Sequence, residues 1–237
     1  MHVLAIGNSF SMDAARYLHA IARADGEKLE IANLYIGGCS LERHFRNMLT
    51  DEERYELQYN GESTGFNVSL SEALLNRPWD VVTLQQASAI SFKPGSYDPY
   101  IKELAAYVHK CVPKAKIYIH QTWAYEDGSE KLVKAGFDSF EDMLAEVVKT
   151  YSLAKEMINA DGLIPSGEML GALLKSGITP IHRDTFHASL GIGRYALGLI
   201  WYRTLFGKDV TDNSFCDFDE PIPGKIVAKI KECANSL

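Results

Sequence analysis

A serine at position 9, an aspartate at 184 and a histidine at 187 are the residues of this chain best suited, by type and setting, to chemistry at a carbonyl carbon. Ser9 sits in Gly7-Asn8-Ser9-Phe10-Ser11, directly after the apolar run Val3-Leu4-Ala5-Ile6. A hydroxyl at a strand-to-helix turn lies at the carboxyl edge of a sheet. Its own backbone N–H then faces the open start of a helix, where it can stabilise an oxyanion. Asp184 and His187 are three residues apart, so a helical or tight-turn conformation presents both to one side. A carboxylate beside an imidazole fixes its tautomer and stabilises the imidazolium formed during general-base work. In that arrangement Ser9 attacks an acyl carbon, His187 removes its proton and Asp184 orients His187. The competing reading of the first turn is plain capping, with Ser9 or Ser11 closing a helix that starts near Asp13.

The elements that must hold these residues follow from periodicity. Apolar runs at 3–6, 29–35, 81–84, 116–120 and 163–164 read as five buried strands. Helical spacing intervenes from about 12, 39, 98, 138 and 166, and again over 189–206 and 223–234. Capping boxes mark Ser69-Leu70-Ser71-Glu72 and Asp138-Ser139-Phe140-Glu141. Alternation of this kind predicts a parallel sheet covered on both faces, with ligands outside the carboxyl ends of the strands. The turns bearing Ser9, Gly38, Gln86 and Trp123 all fall on that edge. Residues 51–68 depart from the pattern: Tyr55, Leu57 and Tyr59 alternate with polar residues before Asn60-Gly61. They read as a surface β-hairpin insertion beside the cleft. With no repeat or composition break, residues 1–237 are expected to form one domain.

At this point the residues resemble a known family. Gly7-Asn8-Ser9, Gly38 after the second strand, and Asp184-Thr185-Phe186-His187 are similar to blocks of the SGNH (GDSL-type) hydrolases, in a divergent bacterial branch. The resemblance spans most of the chain. It implies a flavodoxin-like three-layer α/β/α sandwich with a five-stranded parallel sheet, and esterase chemistry. Ser9 is then the nucleophile, Asp184 and His187 complete the triad, and the amides of Ser9 and Gly38 form two arms of the oxyanion hole. Where the family has Gly-x-Asn-Asp after the third strand, this chain has Leu84-Gln85-Gln86-Ala87-Ser88. That resembles the Gln-Gly-Glu variant of some carbohydrate acetylesterases, and it implies Gln86 as the third oxyanion donor. Asn8 stands where the family usually has aspartate.

Asn8, Gln85, Trp123 and Tyr125 are read as substrate-binding, the aromatic pair as a platform for a pyranose face. The expected activity is removal of small acyl groups, O-acetyl groups above all, from a small-molecule or carbohydrate ester. The alternative is a weak or inactive carbohydrate-binding protein on the same scaffold. His182, Asp184 and His187, with His120, have the types of a metal cluster. However, no H-E-x-x-H is present, and the mechanism requires neither metal nor organic cofactor. Phosphate-binding glycine motifs are absent too. A formal charge of −7 argues against nucleic acid as a partner. No apolar run approaches the ~20 residues that span a bilayer. The chain enters its first strand at once, so a cytoplasmic location is expected as written, or a periplasmic or secreted one if a leader was removed. Cys39, Cys111, Cys216 and Cys233 show no pairing pattern and read as free thiols.

Overall fold

The computed structural model describes residues 1–237. Its strands are β1 (His2–Gly7), β2 (Glu30–Tyr35), β3 (Tyr55–Tyr59), β4 (Glu62–Val68), β5 (Val81–Leu84), β6 (Lys116–His120) and β7 (Gly162–Ile164). The helices are α1 (Ser9–Ala15), α2 (Leu18–Ala24), α3 (Leu41–Thr50), α4 (Leu70–Leu75), α5 (Tyr100–Cys111), α6 (Glu130–Ala135), α7 (Phe140–Met157), α8 (Ser166–Lys175), α9 (Ile192–Phe206) and α10 (Gly224–Asn235).

Val3 to Ile6 are wholly buried because β1 is flanked on both sides, by β2 and β5, and covered on both faces. The sheet order is β4-β3-β2-β1-β5-β6-β7. Strands β1, β2, β5, β6 and β7 pair in parallel, and their spatial order is that of flavodoxin-like folds. The expectation of a five-stranded sheet needs correction, since the sheet has seven strands. The hairpin at 51–68 forms and its outer strand is largely exposed, as expected, but it does not stand apart from the sheet. Its first strand pairs antiparallel with β2, from Ala32↔Tyr59 to Tyr35↔Glu56, and so extends the central sheet. The physical reason is edge satisfaction: β2 would otherwise leave a row of backbone groups unpaired.

On one face the buried helix α9 packs against α1, α2, α8 and α10; on the other, α3, α4 and α5 pack together and α7 lies along β6 and β7. No helix is long and apolar enough to cross a membrane. Helix α1 starts at Ser9, several residues before the expected start near Asp13. Its N-cap is Asn8, whose side chain accepts from Phe10 N while Ser11 Oγ accepts from Asn8 N. Thus neither Ser9 nor Ser11 is the cap, and Ser9 occupies the first helical position with its hydroxyl free for other work. Gly7 is required just below: a Cβ there would come within 2.4 Å of Ser11 Oγ.

Candidate active site

Strand order reverses between β1 and β5, and such a switch point opens a crevice at the carboxyl edge. A cavity of about 560 Å³ lies there, lined by Ser9, Gly38, Ala87, Tyr125, Asp184 and His187 among others. Ser9 Oγ donates to His187 Nε2 at 2.8 Å, and His187 Nδ1 donates to Asp184 Oδ2 at 2.7 Å. The structure therefore brings together a hydroxyl, an imidazole and a carboxylate from the two ends of the chain. Burial pushes the Asp184 carboxyl upward. Hydrogen bonds from the His187 ring and backbone outweigh that effect and hold it below the usual carboxylate range.

Residues 184–187 form a tight turn rather than a helix. Asp184 Oδ1 accepts from His187 N at 2.8 Å, and Thr185 takes φ +71°. A β-branched residue in the left-handed region is costly, and it is held here by its surroundings. Glu126 N donates to Thr185 O, Trp123 Nε1 to Phe186 O, and Arg183 N to His187 O. Arg183 also donates to both carboxylate oxygens of Asp13 on α1, at 3.0 and 2.8 Å, and to Ala188 O. Asp13 is fully buried and takes a second cation, Arg194 Nε, at 2.9 Å. The sequence reading missed this clamp. The signals were available: Asp13 lies one helical turn after Ser9, and Arg183 immediately precedes Asp184.

Gly38 takes φ +62° in a turn closed by Cys39 N donating to Ile36 O at 3.1 Å, a conformation that glycine adopts without a Cβ penalty. Asn8 Nδ2 donates to Cys39 O at 3.0 Å, so the Ser9 and Gly38 turns are tied edge to edge. Asn8 Oδ1 accepts from Gln85 Nε2 at 2.7 Å, and Gln85 Oε1 lies 2.8 Å from His120 Nδ1. Both side chains are buried and their hydrogen bonds go to one another and to neighbours. They brace the turns of β1, β2 and β5. Asn8 also lines the cavity, as expected, whereas Gln85 does not, which corrects the expected role of Gln85 in touching substrate.

Gln86 is also corrected. It is wholly buried; its Oε1 accepts from Leu41 N and Ala87 N, both at 2.9 Å, and its Nε2 donates to Ser96 O at 2.9 Å. Its amide points away from the cavity, so no third oxyanion arm comes from it. Trp123, too, is wholly buried, stacked on Phe10 with ring centroids 4.0 Å apart, and offers no face to a sugar. Of the expected aromatic pair, Tyr125 alone lines the cavity, its hydroxyl 3.0 Å from Ser88 Oγ. Phe186 lies between the His187 ring, 3.9 Å away by centroids, and Lys131 Nζ, 3.4 Å above its ring.

The other candidate ligands are placed elsewhere. His182 Nε2 lies 3.0 Å from Ala124 O, and burial holds its pKa down at about 4. His120 is wholly buried between Gln85 and Ser166, its pKa lowered to about 3 by burial. Cys39 is buried beside His44, and burial pushes its thiol up to about 12, which leaves it inert as a nucleophile.

Comparison with known proteins agrees with this architecture. No curated protein matches the chain. A crystal structure of a putative GDSL-like lipase from Parabacteroides merdae superposes with a TM-score of 0.55 at 15% identity, over 87% of this chain and 96% of that one. A member of the lipolytic G-D-S-L family from Veillonella parvula gives a TM-score of 0.52 at 14% identity, over 88% and 99% of the two chains. At such identities the likeness is one of fold, an SGNH-like α/β architecture. A DUF4886 family protein from Bacteroides uniformis is far more similar, with a TM-score of 0.93 and 31% identity over 100% of this chain and 93% of that one. Residues 2–234 match the model of a domain of unknown function, DUF4886, and the chain belongs to that family.

Proposed function

We propose that this protein is a serine esterase that removes short acyl groups, acetyl first among them, through an acyl-enzyme on Ser9. The observation that carries the reading is the continuous hydrogen-bond path Ser9 Oγ–His187–Asp184, with both links under 3 Å. As Ser9 Oγ attacks the acyl carbon, His187 Nε2 takes its proton. The negative charge that develops on the carbonyl oxygen is met by the amides of Ser9 and Gly38. Collapse expels the alcohol, which recovers the proton from His187. Water then attacks the acyl-enzyme by the same route in reverse and releases the acid. Seven of the sixteen residues lining the cavity are hydrophobic. That mixed surface suits a short acyl group on a polar alcohol better than a long hydrocarbon chain.

Hydrolysis of a short-chain chromogenic ester tests the reading. Ser9→Ala and His187→Ala should each lower turnover by at least about 10³-fold, as removal of a nucleophile or its base does in comparable triads. A fluorophosphonate should label the wild type and not Ser9→Ala. Equal rates in all three proteins would reject the mechanism. A folded wild type that neither turns over nor labels would favour the inactive binding scaffold.

A further inference from the structure

A second groove, of about 450 Å³, opens beside the catalytic cavity, and Met12 and Tyr35 line both. Met12 is three residues beyond Ser9 on α1, about 4.5 Å along the helix axis, so the groove begins one turn from the nucleophile. Its floor is the antiparallel extension of the sheet. Cross-strand partners share a face, and two rows are fixed by register: Asn33–Gln58–Ser63 and Tyr35–Glu56–Asn67. Because β3 and β4 are joined by a hairpin, no crossover helix returns over this polar face.

The charges around the groove decide what it can hold. Arg16 is occupied by Asp219, at 2.6 and 2.9 Å, and by Glu62; Arg194 is occupied by Asp219 and Asp13. No guanidinium is left over for an anion. Glu56 lines the groove without a cationic partner. Gln58 is 7% exposed; its Oε1 accepts from Asn33 Nδ2 at 2.8 Å, while its Nε2 donates to no protein group. A hydrocarbon seated here would strip water from a carboxylate and an amide without replacing their hydrogen bonds. A hydroxyl-rich group satisfies both, donating hydrogen bonds to the Glu56 carboxylate and accepting one from Gln58 Nε2, with the Tyr35 ring beside it.

We infer that this groove is the leaving-alcohol subsite and that it takes a neutral polyol, the sugar unit of an acylated carbohydrate, selected by Glu56 and Gln58. The inference rests on the esterase reading for the chemistry, but the binding site is independent of it. The test compares kcat/KM for mono-O-acetylated methyl glycosides of glucose, xylose and mannose with that for 4-nitrophenyl acetate. Glu56→Ala should lower the ratio of the best glycoside ester to the aryl ester about tenfold, chiefly through KM, as loss of a hydrogen bond to a charged group does. Gln58→Leu should lower the same ratio.

A ratio unchanged by Glu56→Ala, or an acetylated quaternary ammonium alcohol preferred over every glycoside ester, would overturn the inference while leaving the esterase intact. If the wild type hydrolyses neither ester, the esterase reading fails, and saturation-transfer NMR of the free methyl glycosides on Ser9→Ala decides the groove. Transfer that Glu56→Ala abolishes supports it. No transfer, or transfer indifferent to Glu56, overturns it.

Discussion

Gln86 shows how far a side chain's identity is from its role. Its place after β5 was legible, and glutamine has the right donor for an oxyanion. Yet its carbonyl oxygen satisfies two buried amides, at Leu41 and Ala87, and its NH₂ reaches back to Ser96. Two buried N–H groups without an acceptor are expensive, so the amide turns inward. Gln86→Met should therefore destabilise the fold by about 2 kcal/mol in urea unfolding. In the fraction that stays folded, ester turnover should change by less than about tenfold, against the ~10²–10³ expected for an oxyanion donor. Trp123 follows the same logic: its indole N–H must find an acceptor, and it finds Phe186 O rather than a ligand.

At the scale of elements, α1 carries Ser9, the proposed nucleophile, and also grips the loop that carries His187, its proposed base. Ser9 faces His187, and one turn later Asp13 holds Arg183, the residue before Asp184. The carboxylate is fully buried, and the Arg183 and Arg194 side chains are 26% and 13% exposed. Asp13→Asn removes one partner of a largely desolvated pair and should cost about 3 kcal/mol of stability. Turnover should fall further than the unfolded fraction explains, because the loop loses its register on α1. Paired urea titrations and rate measurements at a temperature where the variant is folded would separate the two effects; a variant with wild-type rates would show the clamp to be purely structural. The hairpin belongs to this scale as well. Its strands were legible from alternation and Asn60-Gly61, but alternation does not say which edge a hairpin joins.

For the whole molecule, burial dictates a response to acid. His44, His120 and His182 are buried and held neutral, with pKa values lowered to about 3, about 3 and about 4, in each case chiefly by desolvation. In the unfolded chain each takes up a proton near pH 6.5. Between that pH and their folded values the unfolded state binds more protons, so stability is intact above about pH 6.5 and falls as pH drops. With three such groups the slope approaches about 4 kcal/mol per pH unit at its steepest. Asp219, held at about 2 mainly by its hydrogen bond from Arg16, acts in the same direction at lower pH. Melting temperature should be nearly flat from pH 7 to 8 and decline steeply from pH 6 to 4.5. A flat profile across that acid range would mean that these histidines are solvated.

The sequence by itself determined the alternation of elements, hence the parallel sheet and the edge on which Ser9, Gly38 and the Asp184–His187 segment would gather. Those features depend on local periodicity, on glycine at a left-handed turn and on spacing within a few residues, all of which the chain encodes in its immediate neighbourhood. Only the tertiary structure decided that the sheet has seven strands, that Gln85 braces the turns from outside the cavity, and that Gln86 and Trp123 turn inward. The reason is the same in each case. A buried polar group takes whichever partner completes its hydrogen bonds, and those partners lie at positions such as 39, 96 and 186, brought near only by folding.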